Sequence, residues 1–577
     1  MFDWFILIYA IWRKMRTKMR KIQLLAIVVL LLGVFAACAP ETETIIQEVE
    51  VEVTRVVTET VTEAGEEVEV TRVVVETEMV EVEVTAVPEE AAAAPTEPQM
   101  GGILNLSLGP DFITFHPYFD VSTGQFKPIF YEAPIRISDD GDFEPWLAES
   151  WEESEDGLSI VLHLREGVMF HNGREMTADD VIWSVDHARN TEFGHHLSDR
   201  FLLATGAEKL DEYTVQINYS EVGPKLDGIA TMQIFPQEAL ENIETVPVGT
   251  GPFKFDEWVP GDRLVASKFE DYWQEGLPYL DGVVIKPIPD EQSRMVNLLA
   301  GSIDALRGVP LADKELLEET PGVTVSSSPA GFFFYAFIMN TNEPPFDDPL
   351  VRQAMNYAVD RDKIAATAFH GAEIPVLEPY PETSWAYVDE LADYYTYDLE
   401  KAKELLVEAG YPDGFETSML IRGSSGPYVD QAQVYQQDLA QIGIEMELLP
   451  TELAQYFPAL IGSEFAIASH GTGDATVDPS GLFEGAACCR PFRNFFGITD
   501  NETWFPEYAE LIAQGRASLD QDERQAYYND ALTIQMEQGW NIPTAWRQEI
   551  YAYNDNVHEF RTDMAGNIWL NETWLTP

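Results

Sequence analysis

Between Glu144 and Asn190 the chain carries a dense run of local signals that leaves few choices of fold. Leu147-Ala-Glu-Ser-Trp151 reads as the start or edge of a strand, with Trp151 as a packing anchor. Leu158-Ser-Ile-Val-Leu-His-Leu164 alternates apolar and polar positions, the period of a half-buried strand. Gly167-Val-Met-Phe-His-Asn-Gly173 reads as a further strand closed by an Asn-Gly turn. Thr177 then caps a helix, with Asp180 in the capping-box position and Val181, Val185 and Ala188 along one face.

Further elements follow in the second half. Asp348 and Pro349 open a helix whose buried face is Val351, Ala354, Met355 and Ala358. Asp398 to Gly410 repeats the pattern, with Leu399, Ala402, Leu405, Leu406 and Ala409 inward and Gly410 as the stop. Gln433 to Pro450 reads as a helix, then Ile442-Gly-Ile, then a strand.

The N-terminus is of another kind. Six basic residues (Arg13, Lys14, Arg16, Lys18, Arg20, Lys21) precede a nearly unbroken apolar run from Ile22 to Ala37, which ends in small residues before Cys38. That order is a secretory signal segment rather than part of a fold. From Glu41 to Met100 there are 17 Glu, no Asp and two Arg. This segment repeats itself as Val51-Glu-Val-Thr-Arg-Val-Val57, Val68-Glu-Val-Thr-Arg-Val-Val74 and Val82-Glu-Val-Thr-Ala-Val87. Its like charges repel, and it lacks the bulky groups needed for a core. It reads as an extended tether; its period-two alternation leaves a small hairpin or a β-rich stalk as the competing reading.

Charge narrows the function. With 99 acidic against 35 basic side chains the chain carries a net −64, which argues against nucleic-acid binding. The residues beyond the tether exceed one small core, so two or more lobes are expected. Of three cysteines, Cys488 and Cys489 are adjacent and cannot close an ordinary loop with each other. They are thiols or a strained vicinal disulfide. No zinc-type spacing of Cys and His occurs, and no cofactor is expected. The chain has no GxSxG, HExxH or phosphate-loop motif, so an enzyme reading has little to stand on.

Several motifs in order carry a resemblance. Phe35-Ala-Ala-Cys38 resembles a bacterial lipobox. Gly101 to Leu108 is a short glycine-led strand, followed by Thr114-Phe-His-Pro117 and Tyr131-Glu-Ala-Pro-Ile-Arg-Ile137. Then come Gly249-Thr-Gly-Pro-Phe-Lys254, Tyr272-Trp273, Pro278-Tyr-Leu-Asp281, Gly301-Ser-Ile-Asp304 and the helix Pro345 to Arg361. With the Glu144–Asn190 run, these resemble the extracytoplasmic solute-binding proteins of family 5, the oligopeptide- and dipeptide-binding lipoproteins of ABC importers. The resemblance covers essentially all of 101–577.

It implies an α/β, two-lobe periplasmic-binding-protein fold of the class II, cluster C type, with an extra subdomain in lobe one. The organisation would be 1–38 signal peptide, 39–100 tether, 101–328 lobe one with an insert at about 137–236, 329–545 lobe two, and 546–577 returning to lobe one. The implied activity is capture without chemistry: the lobes close on a solute and the loaded form docks on a membrane permease. Cys38 would carry the lipid anchor, outside the cytoplasm, on a monomer. Peptide is the first expectation for the ligand, oligosaccharide the second, and nickel or a metal chelate a third.

For a peptide, the resemblance places an acidic partner of the α-amino group in Gly473-Asp-Ala-Thr-Val-Asp-Pro479, hence Asp474. A turn or cap role for Asp474 weighs about equally. Asn494 resembles the family's asparagine near the cleft; Arg490 and Arg493 beside it, in a chain short of basic residues, could anchor a carboxylate, with surface ion pairs as the blander and favoured role. Thr123 and Gln125 lie in a segment that offers backbone to ligand in relatives. Phe334, Tyr335 and Trp546 are the aromatic candidates, and most such aromatics are packing.

Overall fold

The structure is a computed structural model. It describes the backbone of residues 44–63 and 66–85, and residues 97–577 except 120–125, 139–140, 191–199, 202, 330–332, 377, 379, 383, 424–425, 474–476, 484–503 and 565. The chain divides into two units, Met1–Ala94 and Pro95–Pro577. In the first, Thr44–Glu63 and Glu66–Thr85 form one antiparallel ladder, from Thr44 opposite Thr85 to Glu63 opposite Glu66. The acidic repeats are therefore described as a paired ribbon, the hairpin alternative to a single extended strand. Val and Thr, which fill much of it, favour strand conformation.

The second unit is built on three larger sheets. The first has seven strands in the order 253–259, 263–268, 282–287, 103–109, 305–307, 550–554, 323–327. Ile103–Gly109 runs parallel to both its neighbours and is buried on both faces for most of its length, as a central parallel strand must be. Ile550–Asn554 enters antiparallel between 305–307 and 323–327, so the end of the chain completes a sheet begun near residue 103.

A four-stranded antiparallel sheet follows the order 148–153, 159–164, 214–219, 204–209. Ser159–Leu164 and Thr214–Tyr219 alternate buried and half-buried positions. The buried face packs with Val181, Val185 and Ala188 of the helix Ala178–Ala188. Thr177 and Asp180 form the capping box at its start: Asp180 accepts the Thr177 N–H at 2.9 Å. The stretch 167–173 corrects the sequence reading. It is a pair of turns with a single bridge, Met169 to Glu175, because Gly167 (φ 77°) and Gly173 (φ 84°) turn the chain at both ends.

Two of the motifs meet in this half of the molecule for a steric reason. A Cβ on Gly249 would collide with the Phe130 carbonyl oxygen, and one on Gly251 would stand 2.7 Å from that of Ile129. Only glycine lets the two segments pass so closely. Thr250, between them, donates to Glu132 at 2.8 Å. Buried His171 donates from Nε2 to the Gly251 carbonyl at 2.9 Å and accepts the Gly249 N–H at Nδ1 at 3.3 Å. Burial holds its pKa down at about 4, so it is neutral.

The third sheet has five strands in the order 445–451, 416–422, 467–473, 333–339, 541–546. Phe333–Met339 is covered on both faces. Tyr335, Phe337 and Met339 join one core, while Ile338 joins a second around Trp540, Tyr456 and Tyr508. The helices Pro349–Tyr357 and Leu399–Glu408 begin as read, with Asp348 accepting from Leu350 N–H and Asp398 from Glu400 and Lys401 N–H. The helix read from Gln433 starts earlier, at Pro427. Pro427 can open a helix because its missing N–H is one that needs no partner there.

Candidate functional site

The seven- and five-stranded sheets are joined where the chain crosses between them. Ser328 lies beside Glu549: its N–H donates to the Glu549 carbonyl (2.9 Å), and its Oγ accepts the Glu549 N–H (3.0 Å). Arg547 N–H donates to the Phe333 carbonyl at 2.8 Å. Glu549 is held between Arg307 (2.9 Å) and Arg547 (2.6 Å). Burial opposes its ionisation, yet the two guanidiniums keep its pKa below the usual carboxylate value. Neighbouring Glu373 accepts the Gln548 N–H at 3.1 Å, and burial outweighs the pull of Arg547 and pushes its pKa up to about 8.

Next to this crossing lies a cavity of about 1410 Å³. One wall comes from the first half of the unit: Asp142 and Phe143, Glu153 to Glu155, and Val222 to Asp227. The other comes from the five-stranded half: Ile374 to Val376, Glu378, Tyr380 to Glu382, Ser384 and Trp385, Val477 to Pro479, Arg516, Arg524 and Trp546. The walls touch at one edge. The Asp227 carboxylate accepts the backbone N–H groups of Val477 (2.6 Å) and Asp478 (3.2 Å). Asp478 in turn pairs with Arg524, whose guanidinium lies 5.4 Å over the Trp385 ring. Lys225 is buried and reaches Glu153 at 3.3 Å.

Such a space can hold a flexible solute of several residues or rings. It offers aromatic faces (Trp385, Tyr387, Trp546), charged groups of both signs, and peptide groups on both walls. Among the described residues no group of three or more His, Cys, Asp or Glu is placed to hold a metal ion.

The residues singled out from sequence fall unevenly. Trp546 lines the cavity and meets Phe334 edge to face at 5.6 Å. Phe334 is 1% exposed and sits behind Trp546 with Ala336 and Val376. Tyr335 points to the other face of its strand, stacked on Phe369 at 4.7 Å within a core. Thr123, Gln125, Asp474, Arg490 and Asn494, with Cys38, Cys488 and Cys489, lie outside the described residues. Sequence reasoning passed over Lys225, Asp227, Glu378 and Arg524. A basic residue is scarce in so acidic a chain, which is the one signal that could have drawn attention to Lys225 and Arg524.

Residues 142–493 match the family described as bacterial extracellular solute-binding proteins, family 5 Middle. Heme-binding protein A of Haemophilus influenzae is 32% identical over 437 residues, which is 70% of this chain and 79% of that protein. The glutathione-binding protein GsiB of Salmonella typhi is 34% identical over 478 residues, 79% of this chain and 91% of GsiB. Among solved structures, the periplasmic binding protein DppA of Helicobacter pylori, in complex with the peptide STSA, superposes with a TM-score of 0.73 at 28% identity. The match covers 83% of this chain and 99% of DppA.

Proposed function

The chain belongs to the bacterial extracellular solute-binding proteins of family 5, and we propose that it captures short peptides in the cavity beside Trp546 and delivers them to an ABC permease for import. The observation that carries this reading is the cavity itself: about 1410 Å³, walled by two separate halves of the unit and bordered by the crossing at Ser328 and Glu549. Relatives support the ligand class, since DppA is seen with a peptide and GsiB is named for glutathione. Backbone pairing with a peptide tolerates varied side chains in a roomy cleft. A loaded form differs from an empty one only by the ligand's preference for it. No reaction is needed for this task, and capture without catalysis is the reading adopted.

The finer points rest on sequence. Cys38 is the lipid-anchor site, supported by the basic and apolar run before it. Among the described residues no helix is long and apolar enough to cross a membrane. The repeats of 44–85 serve as the spacer between anchor and binding unit, and the protein works as a monomer. Asp474, Arg490, Asn494, Thr123 and Gln125 remain the ligand contacts proposed from sequence.

Oligosaccharide is the second reading, favoured by Trp385, Tyr387 and Trp546 at the cavity, since sugars stack on aromatic faces. A thermal-shift screen separates the two. Di- to hexapeptides should raise the melting temperature in proportion to the logarithm of their concentration above Kd, while cello- and xylo-oligosaccharides should not. Stabilisation by the sugars alone contradicts the peptide assignment.

A further inference from the structure

Glu378 stands out within the cavity wall. It is 2% exposed, and only one of its carboxylate oxygens is used: Oε1 accepts the Val388 N–H at 3.2 Å. Oε2 is buried with no hydrogen-bond partner among the described residues. A buried carboxylate oxygen left without a partner is costly, and native structures rarely keep one without a use. The two other buried carboxylates of the lining have partners, Asp478 in Arg524 and Asp227 in two backbone N–H groups.

The position of Glu378 is fixed from both sides. Just before it, Val376 N–H donates to the Thr544 carbonyl at 3.1 Å, which pins the segment to the five-stranded sheet. Just after it, the Tyr380 hydroxyl donates to the Pro479 carbonyl at 3.1 Å. A carboxylate so placed is preorganised for a partner that arrives from the cavity. The cavity's charge says what kind. Seven acidic and three basic described residues line it. Of the basic ones, Lys225 and Arg524 already have carboxylate partners. The excess is negative, and a positive group gains from it.

We propose that Glu378 is a specificity-determining residue that receives a protonated nitrogen of the ligand, an amine or guanidinium, on its unpartnered Oε2, so that the protein prefers cationic solutes. This rests on the solute-capture reading above. Burial also pushes the Glu378 pKa up to about 8. The carboxyl is therefore reluctant to ionise in the empty cleft and gains most when a cation supplies the missing partner.

The test is calorimetric titration of the full-length protein and its Glu378→Gln and Glu378→Asp variants with matched peptides. Three probes suffice: Ala-Lys-Ala, the same peptide with the lysine side chain acetylated, and the same peptide with the α-amino group acetylated. The wild type should bind the unmodified peptide at least tenfold more tightly than one of the acetylated forms. Which form loses affinity identifies the nitrogen received. Glu378→Gln should narrow that preference to less than threefold, with Glu378→Asp between. Thermal melts of the empty variants check that they fold.

A preference that persists undiminished in Glu378→Gln overturns the assignment, as does a loss of affinity equal for all three probes, the mark of a structural role. If no peptide binds at all, the peptide reading fails, and spermidine and arginine amide decide the matter for Glu378. Tighter binding of these cations to wild type than to Glu378→Gln upholds it; equal or absent binding overturns it.

Discussion

Glu132 shows how one residue can tie distant motifs together. It is 1% exposed and accepts four donors: Trp146 Nε1 (2.9 Å), Thr250 Oγ1 (2.8 Å), Tyr272 OH (2.8 Å) and Trp273 Nε1 (3.1 Å). Burial raises its pKa, the four donors pull it back, and the balance is about 7. A folded-state value above the unfolded 4.5 makes the group's contribution complete below about pH 4.5. That contribution is lost as pH rises through about 7, by up to ~3 kcal/mol. Glu132→Gln, which stays neutral, should remove that part of the slope, while Glu132→Ala orphans four donors and should cost ~2–4 kcal/mol throughout. Urea midpoints of the three proteins at pH 5 and pH 8 check both. The sequence shows Tyr131-Glu132 and Gly249-Thr250 as separate motifs. Their meeting point is not legible there, because it depends on which buried donors the fold delivers.

Elements were legible where their chemistry is local. Thr177, Asp348 and Asp398 each announce a helix start, since a cap acts within three residues. The strand expected at 167–173 failed because two glycines in left-handed conformations outweigh a short apolar run. Phe334 and Tyr335 read as cleft candidates in the sequence, yet their strand lies inside a five-stranded sheet with packing on both faces. Alternation alone does not say that both faces are covered. The same contrast yields a prediction. Thr177→Ala should cost only ~1 kcal/mol, the usual price of a lost cap. Gly249→Ala should cost more, ~3 kcal/mol or above, because its Cβ meets the Phe130 carbonyl with no room to yield. Chemical denaturation of the two variants ranks them; the reverse order contradicts the close approach described here.

At the scale of the molecule, the family and its two-wall architecture could be read from motif order, but the solute could not. The cavity draws Lys225 and Asp227 to Glu378 and Asp478 across a long stretch of sequence, and no local pattern marks them as neighbours. The ordered motifs of the first half, Glu132, His171 and the Gly249–Gly251 turn, prove to be scaffold. On the proposed reading, choice of ligand falls to the residues that line the cavity, Trp546, Glu378 and Val477–Pro479 among them. The most direct test of the central claim is native mass spectrometry of the protein as purified from its own host. The account predicts added mass that fragments into amino-acid residues and is displaced by excess peptide. A hexose or pentose ladder, or a bare chain to which no peptide mixture adds, contradicts it.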